Sequence, residues 1–302
     1  MHTSLMKAIG NTPLVQVNFD TPTTIYAKLE YLNPGGSIKD RSAYYMIEQA
    51  EKNGDLKPGW TIIDASSGNH GIAIAMVGAA KDYPVIITVS EKISQEKLNT
   101  LKAYGAHIVT CPATQFIEDP QSYHSQAVQL HKKNPQSFMP NQYFNTVNTE
   151  AHYYSLGPEI WQQTNGAVTH FFAGAGTGGT ISGAGRYLKE KNPAINVIAV
   201  DSVNSFRSTN GNPKPYQVEG MGIDFDSSVI DYNVIDAIIT VSDDQALGIL
   251  KPLAQKHGLL VGPSSGAVAW AAKEYTKNCN TNTVAVMIFG DSGRAYLTKN
   301  FY

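Results

Sequence analysis

Lys39 lies in the string Asn33-Pro34-Gly35-Gly36-Ser37-Ile38-Lys39-Asp40-Arg41, behind a run of turn formers and at the head of a helical pattern. A lone lysine at a helix start is ordinarily a solvated charge. Held at a loop-to-helix junction and partly desolvated, the same amine becomes a nucleophile able to form a Schiff base with an aldehyde. What separates the two cases is the company the lysine keeps further along the chain.

Three glycine-rich turns stand between short apolar runs and helical patterns, the layout of ligand loops on a parallel sheet. The first, Ala65-Ser66-Ser67-Gly68-Asn69-His70-Gly71, gathers small polar side chains and bare amides at one strand exit, suited to a carboxylate. In the second, Gly174-Ala175-Gly176-Thr177-Gly178-Gly179-Thr180, missing side chains let the backbone close on an anion, and the following helix adds its positive end. The third, Gly262-Pro263-Ser264-Ser265-Gly266, follows Leu259-Leu260-Val261 and offers a neutral hydroxyl at what reads as another strand exit. Gly174, Gly176 and Gly179 also satisfy G-x-G-x-x-G, with Asp201 ending the next apolar run, so a dinucleotide and a phosphate monoester both fit that spacing. A nicotinamide reading leaves Lys39 and the serine-rich turn without a purpose.

The elements that must carry these loops alternate almost throughout. Strands are expected at 25–30, 61–64, 84–89, 107–110, 168–173, 195–200, 235–241, 258–261 and 283–289. Helices are expected at 40–53, 69–81, 94–104, 120–133, 149–163, 179–191, 243–257 and 265–277. Runs such as Val284-Ala285-Val286-Met287-Ile288-Phe289 are apolar at every position, the mark of strands covered on both faces. The fold class is α/β: two domains, each a mostly parallel sheet flanked by helices. The periodicity breaks near 135–148, where Pro, Asn, Gln and aromatic residues interrupt it.

Composition narrows the function classes. The 302 residues are 42% hydrophobic, enough for a substantial core, and 25 acidic against 23 basic residues leave a net charge of −2. That balance, without a Lys/Arg cluster, argues against nucleic acid and anionic membrane surfaces as partners. No apolar run approaches membrane-spanning length and 1–11 carries no export pattern, so the protein reads as cytoplasmic. Cys111 and Cys279 have neither metal-ligand nor disulfide-framework spacing, so no metal is expected.

Taken together and in order, 33–41, the S-S-G-N-H-G turn at 66–71, G-T-G-G-T at 176–180, V-E-G-M-G at 218–222 and G-P-S-S-G at 262–266 resemble the β-substituting branch of the fold type II pyridoxal-phosphate enzymes. That branch contains cysteine synthase (O-acetylserine sulfhydrylase) and cystathionine β-synthase, and the likeness runs from Ile9-Gly10-Asn11-Thr12-Pro13-Leu14 to Asp291-Ser292-Gly293. The resemblance implies pyridoxal 5'-phosphate as cofactor, with the tryptophan synthase β-like fold. It implies a smaller mobile domain at 35–145 carrying the carboxylate turn, and a larger one at 1–34 and 146–302 carrying the phosphate loop. Lys39 would form the Schiff base, Asn69 would bond the pyridine 3′-oxygen, and Ser264 would face the pyridine nitrogen. Gly176, Thr177, Gly178, Gly179 and Thr180 would cradle the phosphate. Ser66, Ser67, Gly68, His70 and Gln142 would receive the substrate carboxylate.

The implied reaction is β-replacement through an aminoacrylate. O-acetylserine or serine loses its β-substituent, and sulfide or a thiol adds to give cysteine or cystathionine; a homodimer is the family's assembly. One spelling departs from the branch. Its members usually read T-S-G-N-T-G at the carboxylate turn, whereas Ser66, Ser67 and His70 here are closer to the serine/threonine dehydratases, which makes an ammonia-lyase the alternative. No haem-binding extension or regulatory domain is expected.

Overall fold

The structure, a computed structural model, describes residues 4–114, 116–225 and 227–302; residues 1–3 of the leader reading lie outside it. The first part of the chain runs through β1 (Leu14–Gln16), β2 (Thr24–Leu29), α1 (Lys39–Asn53), β3 (Thr61–Ala65), α2 (Asn69–Ala80), β4 (Val85–Ser90) and α3 (Gln95–Ala103). There follow β5 (His107–Cys111), α4 (Tyr123–Lys133), β6 (Ser137–Phe138), α5 (Val147–Tyr154), α6 (Leu156–Gln163), β7 (His170–Gly174) and α7 (Gly179–Lys191). The last are β8 (Asn196–Ser202), β9 (Ala237–Val241), α8 (Asp243–Gly248), α9 (Leu250–His257), α10 (Pro263–Thr276) and β10 (Val284–Phe289).

Two sheets result. One has six strands in the order β1-β2-β10-β7-β8-β9, the other four in the order β5-β4-β3-β6. All pairings are parallel except β1 with β2. β10 lies inside the larger sheet, between β2 and β7, which is why its sequence is apolar without alternation. One face of that sheet packs Phe172, Ile198 and Met287 against Leu250, Leu253, Val268 and Ala272 of α9 and α10. The other packs Phe171, Val197 and Val286 against Ile160, Ile181 and Leu188 of α6 and α7. In the smaller sheet Ile62, Val85 and Ile87 meet Ile47 of α1 and Ile74 and Val77 of α2. α2 is buried along most of its length and correspondingly apolar all round.

Several expectations need correction. The helix expected at 149–163 is two, α5 and α6, broken at Ser155 (φ −125°, ψ −68°). The one expected at 243–257 is likewise α8 and α9. Both second halves carry a proline as their third residue, Pro158 and Pro252. A ring there cannot donate to the fourth residue back and crowds its carbonyl, so each proline sits in the first turn of a new helix. The apolar run 258–261 is not a strand: only Val261 pairs, as a single bridge to Ser292, so the third glycine turn does not leave a strand. That turn is helical from Pro263 onward, with proline at the first position where its missing N–H costs nothing. β1 and β6, of three and two residues, were too short to leave a periodic signal.

Candidate active site

The carboxyl ends of β3, β7 and β10 converge, and the loops leaving them build one cavity, as parallel α/β sheets characteristically do. Lys39, Asn69, Gly176, Thr177, Gly178, Thr180 and Ser264 all line it. Of the residues expected at the cofactor, Gly179 alone is not on this wall. It begins α7 with its α-carbon against the Asn148 side chain, and its N–H donates to Thr177 Oγ1 (3.3 Å). The cavity opens into a cleft of ≈ 1180 Å³, also lined by Ser66, Ser67, Gly68, His70 and Gln142. The two groups of residues singled out from sequence thus meet across Lys39, Asn69, Gly176 and Thr177, which line both spaces.

Lys39 is the first residue of α1 and only partly buried, because the cleft opens onto it, while protein surrounds its amine. Burial pushes that amine down to about 8 from a usual 10.5. Its helix is anchored from below. Arg41 Nε and Nη2 donate to Glu30 Oε2 and Oε1 (2.7 and 2.9 Å), and Nη1 and Nη2 to Glu159 (2.7 and 2.8 Å). Lys28 Nζ adds bonds to Glu159 Oε2 (2.8 Å) and the Thr12 carbonyl (2.6 Å). Burial alone would raise both carboxyls, but the Arg41 guanidinium prevails: Glu30 is held below its usual range and Glu159 is held down to about 2. At the loop before Lys39, Gly35 N–H donates to the buried Asp40 Oδ2 (2.5 Å).

The glycine loop after β7 is shaped from behind. Arg207 donates from Nη1 to the Ala175 carbonyl (2.9 Å) and from Nη2 to the Gly176 carbonyl (3.0 Å). Trans peptides carry N–H opposite C=O, so the amides of Gly176 and Thr177 point away from Arg207. Gly178 has φ +93° and packs its α-carbon on Ile230; a Cβ at Gly176 would lie 3.0 Å from the Gly220 carbonyl. A side chain at either position would crowd the loop. Asp201, the acid a dinucleotide would need, is fully buried and occupied: it accepts from Ser205 Oγ (2.7 Å), Ser208 Oγ (3.1 Å) and Arg207 Nη1 (3.1 Å). The G-x-G-x-x-G spacing therefore does not mark a ribose site.

At the carboxylate turn, Ser67 Oγ accepts from Ser90 N–H (2.7 Å) and Ser66 Oγ from Gly68 N–H (3.3 Å), which fixes the turn at the head of α2. His70 is 1% exposed, with Nε2 3.6 Å from Asp64 Oδ2, too far for a hydrogen bond. Burial, with Lys39 nearby, pushes the imidazole down to about 3, and burial pushes Asp64 up to about 7. His70 is thus neutral across physiological pH and gives the turn no pH switch there. Gln142 is tied in through its backbone, for Asn148 Nδ2 donates to the Gln142 carbonyl (2.8 Å) and to Thr177 Oγ1 (3.1 Å). Asn148, Arg207 and Asp291 are parts of this site that sequence reasoning missed.

The residues present fit pyridoxal phosphate. A phosphate monoester matches a loop of outward amides with no room for a side chain, at the head of the 13-residue helix α7. An aldehyde matches an amine whose proton affinity burial has lowered, and the Asn69 amide and Ser264 hydroxyl line the same cavity. Among the described residues no helix is long and apolar enough to cross a membrane, and no group of three or more His, Cys, Asp and Glu is placed to hold a metal ion.

A family model described as pyridoxal-phosphate dependent enzyme matches residues 5–291. A cystathionine beta-synthase of Apis mellifera is 45% identical over 98% of this chain, which spans 60% of that longer protein. An O-acetylserine dependent cystathionine beta-synthase of Bacillus subtilis is 40% identical over 99% of this chain and 97% of its own length. Among solved structures, a cysteine synthase of Entamoeba histolytica superposes with TM-score 0.94 at 32% identity, covering 100% of this chain and 91% of that one.

Proposed function

This chain belongs to the pyridoxal-phosphate dependent enzymes, and from that premise we propose that it replaces the β-substituent of O-acetylserine or serine with a sulfur nucleophile, yielding cysteine or cystathionine. The observation that carries the reading is the convergence of Lys39, Asn69, the 176–180 loop and Ser264 on one cavity that opens directly onto the serine-rich turn.

When bound, the cofactor supplies an electron sink that acidifies the C–H beside the substrate nitrogen. The chain's own residues do the rest. Lys39 Nζ would hold the cofactor aldehyde, and once released would take the proton from the substrate α-carbon, a role suited to an amine brought to about 8. The amides of Gly176, Thr177, Gly178 and Thr180 would fix the phosphate, Asn69 the ring oxygen, and Ser264 would offer the ring nitrogen a hydroxyl in place of a charged carboxylate. That choice weakens the sink and favours loss of the β-substituent over transamination. Ser66, Ser67, Gly68, His70 and Gln142 would orient the substrate carboxylate at the N-terminus of α2, where the helix favours an anion.

Residues 35–145 are taken as the unit that closes over bound substrate, since a reactive unsaturated product of elimination must be kept from water. The similarity to a cystathionine beta-synthase, an O-acetylserine dependent cystathionine beta-synthase and a cysteine synthase supports β-replacement over the dehydratase alternative. A homodimer in the cytoplasm is the assembly and location the reading carries. The test is to incubate purified protein with O-acetylserine, serine and phosphoserine against sulfide, homocysteine and other thiols, and to identify products by mass. A thioether or cysteine is expected; stoichiometric pyruvate from serine without any thiol would overturn the proposal.

A further inference from the structure

Asp291 stands where the three cofactor-facing loops meet. Its backbone bridges Ser37, two residues before Lys39, while Gly290 O accepts from Ile38 N–H (2.8 Å). Its carbonyl accepts from Gly262 N–H (3.0 Å) at the head of the Ser264 turn, and Gly290 N–H donates to Ser265 Oγ (3.0 Å). Its side chain, 222 residues away in sequence, accepts from Asn69 Nδ2 (2.7 Å). Tyr296 OH donates to the same oxygen, Oδ2, at 2.6 Å, from a ring that is 1% exposed. Asp291 lines the cavity itself, and its other oxygen lies against Gly262 with no donor among the described residues.

We propose that Asp291 is a positioning residue for the cofactor: its Oδ2 fixes which way the Asn69 amide faces, so that Asn69 presents its second N–H to the ring oxygen. The inference rests on the site reading above. An amide can be turned over without changing its shape, and only its hydrogen bonds decide which end is which. Here Oδ2 receives two converging donors, so it acts as an acceptor and draws the NH2 end of Asn69 toward itself. One N–H is thereby spent on Asp291 and the other is left for the cavity. An amide at position 291 would offer either end, and Asn69 would lose its fixed orientation.

The test is Asp291→Asn, read by absorbance of the bound cofactor and by its equilibrium affinity for the apoprotein, followed through tryptophan fluorescence. The ratio of visible to near-ultraviolet absorbance is expected to fall, because the ring oxygen loses its donor. Affinity is expected to weaken about tenfold, the order of one hydrogen bond. Because the effect runs through Asn69, Asp291→Asn should change neither quantity further in Asn69→Ala protein reconstituted with excess cofactor. A wild-type ratio and affinity in Asp291→Asn, or an equal additional shift in the Asn69→Ala background, would overturn the proposal. Should Asp291→Asn fail to fold, Tyr296→Phe frees the carboxylate to rotate and should move the ratio the same way by less; no movement there overturns it equally. Wild-type protein without visible cofactor absorbance would remove the site reading along with the proposal, a result distinguishable from a normal wild-type spectrum with an unaffected variant.

Discussion

The proton affinity of Lys39 is set by where its amine is kept. Burial has lowered its affinity for a proton, so in the apoprotein the neutral, nucleophilic form grows as pH rises and dominates above about 8 rather than above 10.5. The rate of pyridoxal-phosphate capture by apoprotein is therefore expected to climb with pH and level off above about 8. A stopped-flow profile still rising toward pH 10 would contradict this. Linkage gives the matching sign for stability. Between about pH 8 and 10.5 the unfolded chain holds a proton that folded Lys39 has lost, so this residue makes the apoprotein more stable as pH rises through that window. His70, kept neutral by the same desolvation, should leave the acid side of the activity profile in place when changed to Gln.

Helix α1 holds Lys39 still because Arg41, two residues on, is gripped by Glu30 and Glu159. Arg41→Met should leave a buried carboxylate at Glu30 without its partner, costing about 3–5 kcal/mol, and urea unfolding would measure it. A loss below about 1 kcal/mol would mean the network does not anchor the helix. The contrast between α1's head and its anchor marks how far the sequence could be read. The turn at 33–41 and the glycine loop announce themselves because their requirements are local: a tight bend, a positive φ, an amide with no side chain over it. Glu30, Glu159, Arg207 and Asp291 look like any other charged residues in the sequence, since their partners come from distant segments. Most strands and helices were legible from periodicity. The exceptions were the helix breaks before Pro158 and Pro252, the apolar run 258–261, which no strand pairs beyond one bridge, and β1 and β6, whose few residues are strands only because a neighbouring strand pairs with them.

Loops from both sheets line the cleft, and charged side chains join its sides. Lys97 of α3, beside the smaller sheet, pairs with Glu219, which precedes Gly220 on the cavity wall; Lys299 pairs with the same Glu219. Lys97 Nζ also lies 5.1 Å from the ring centre of Tyr296, and Thr298 Oγ1 donates to Glu96 Oε1 (2.6 Å). These contacts tie the smaller-sheet side to the C-terminal segment, and under the proposed closure over substrate they would serve as a latch. Lys97→Ala is expected to raise KM for the amino-acid substrate about threefold with less effect on kcat, the scale of one partly exposed pair. An unchanged KM would show that the latch does not contribute to closure. At the scale of the whole molecule, a single amine, that of Lys39, is proposed to carry the cofactor. Borohydride reduction of the holoprotein followed by peptide mapping tests it most directly: a pyridoxyl adduct on Lys39 is the expected result, and an adduct on another lysine, or none in protein that contains the cofactor, would contradict it.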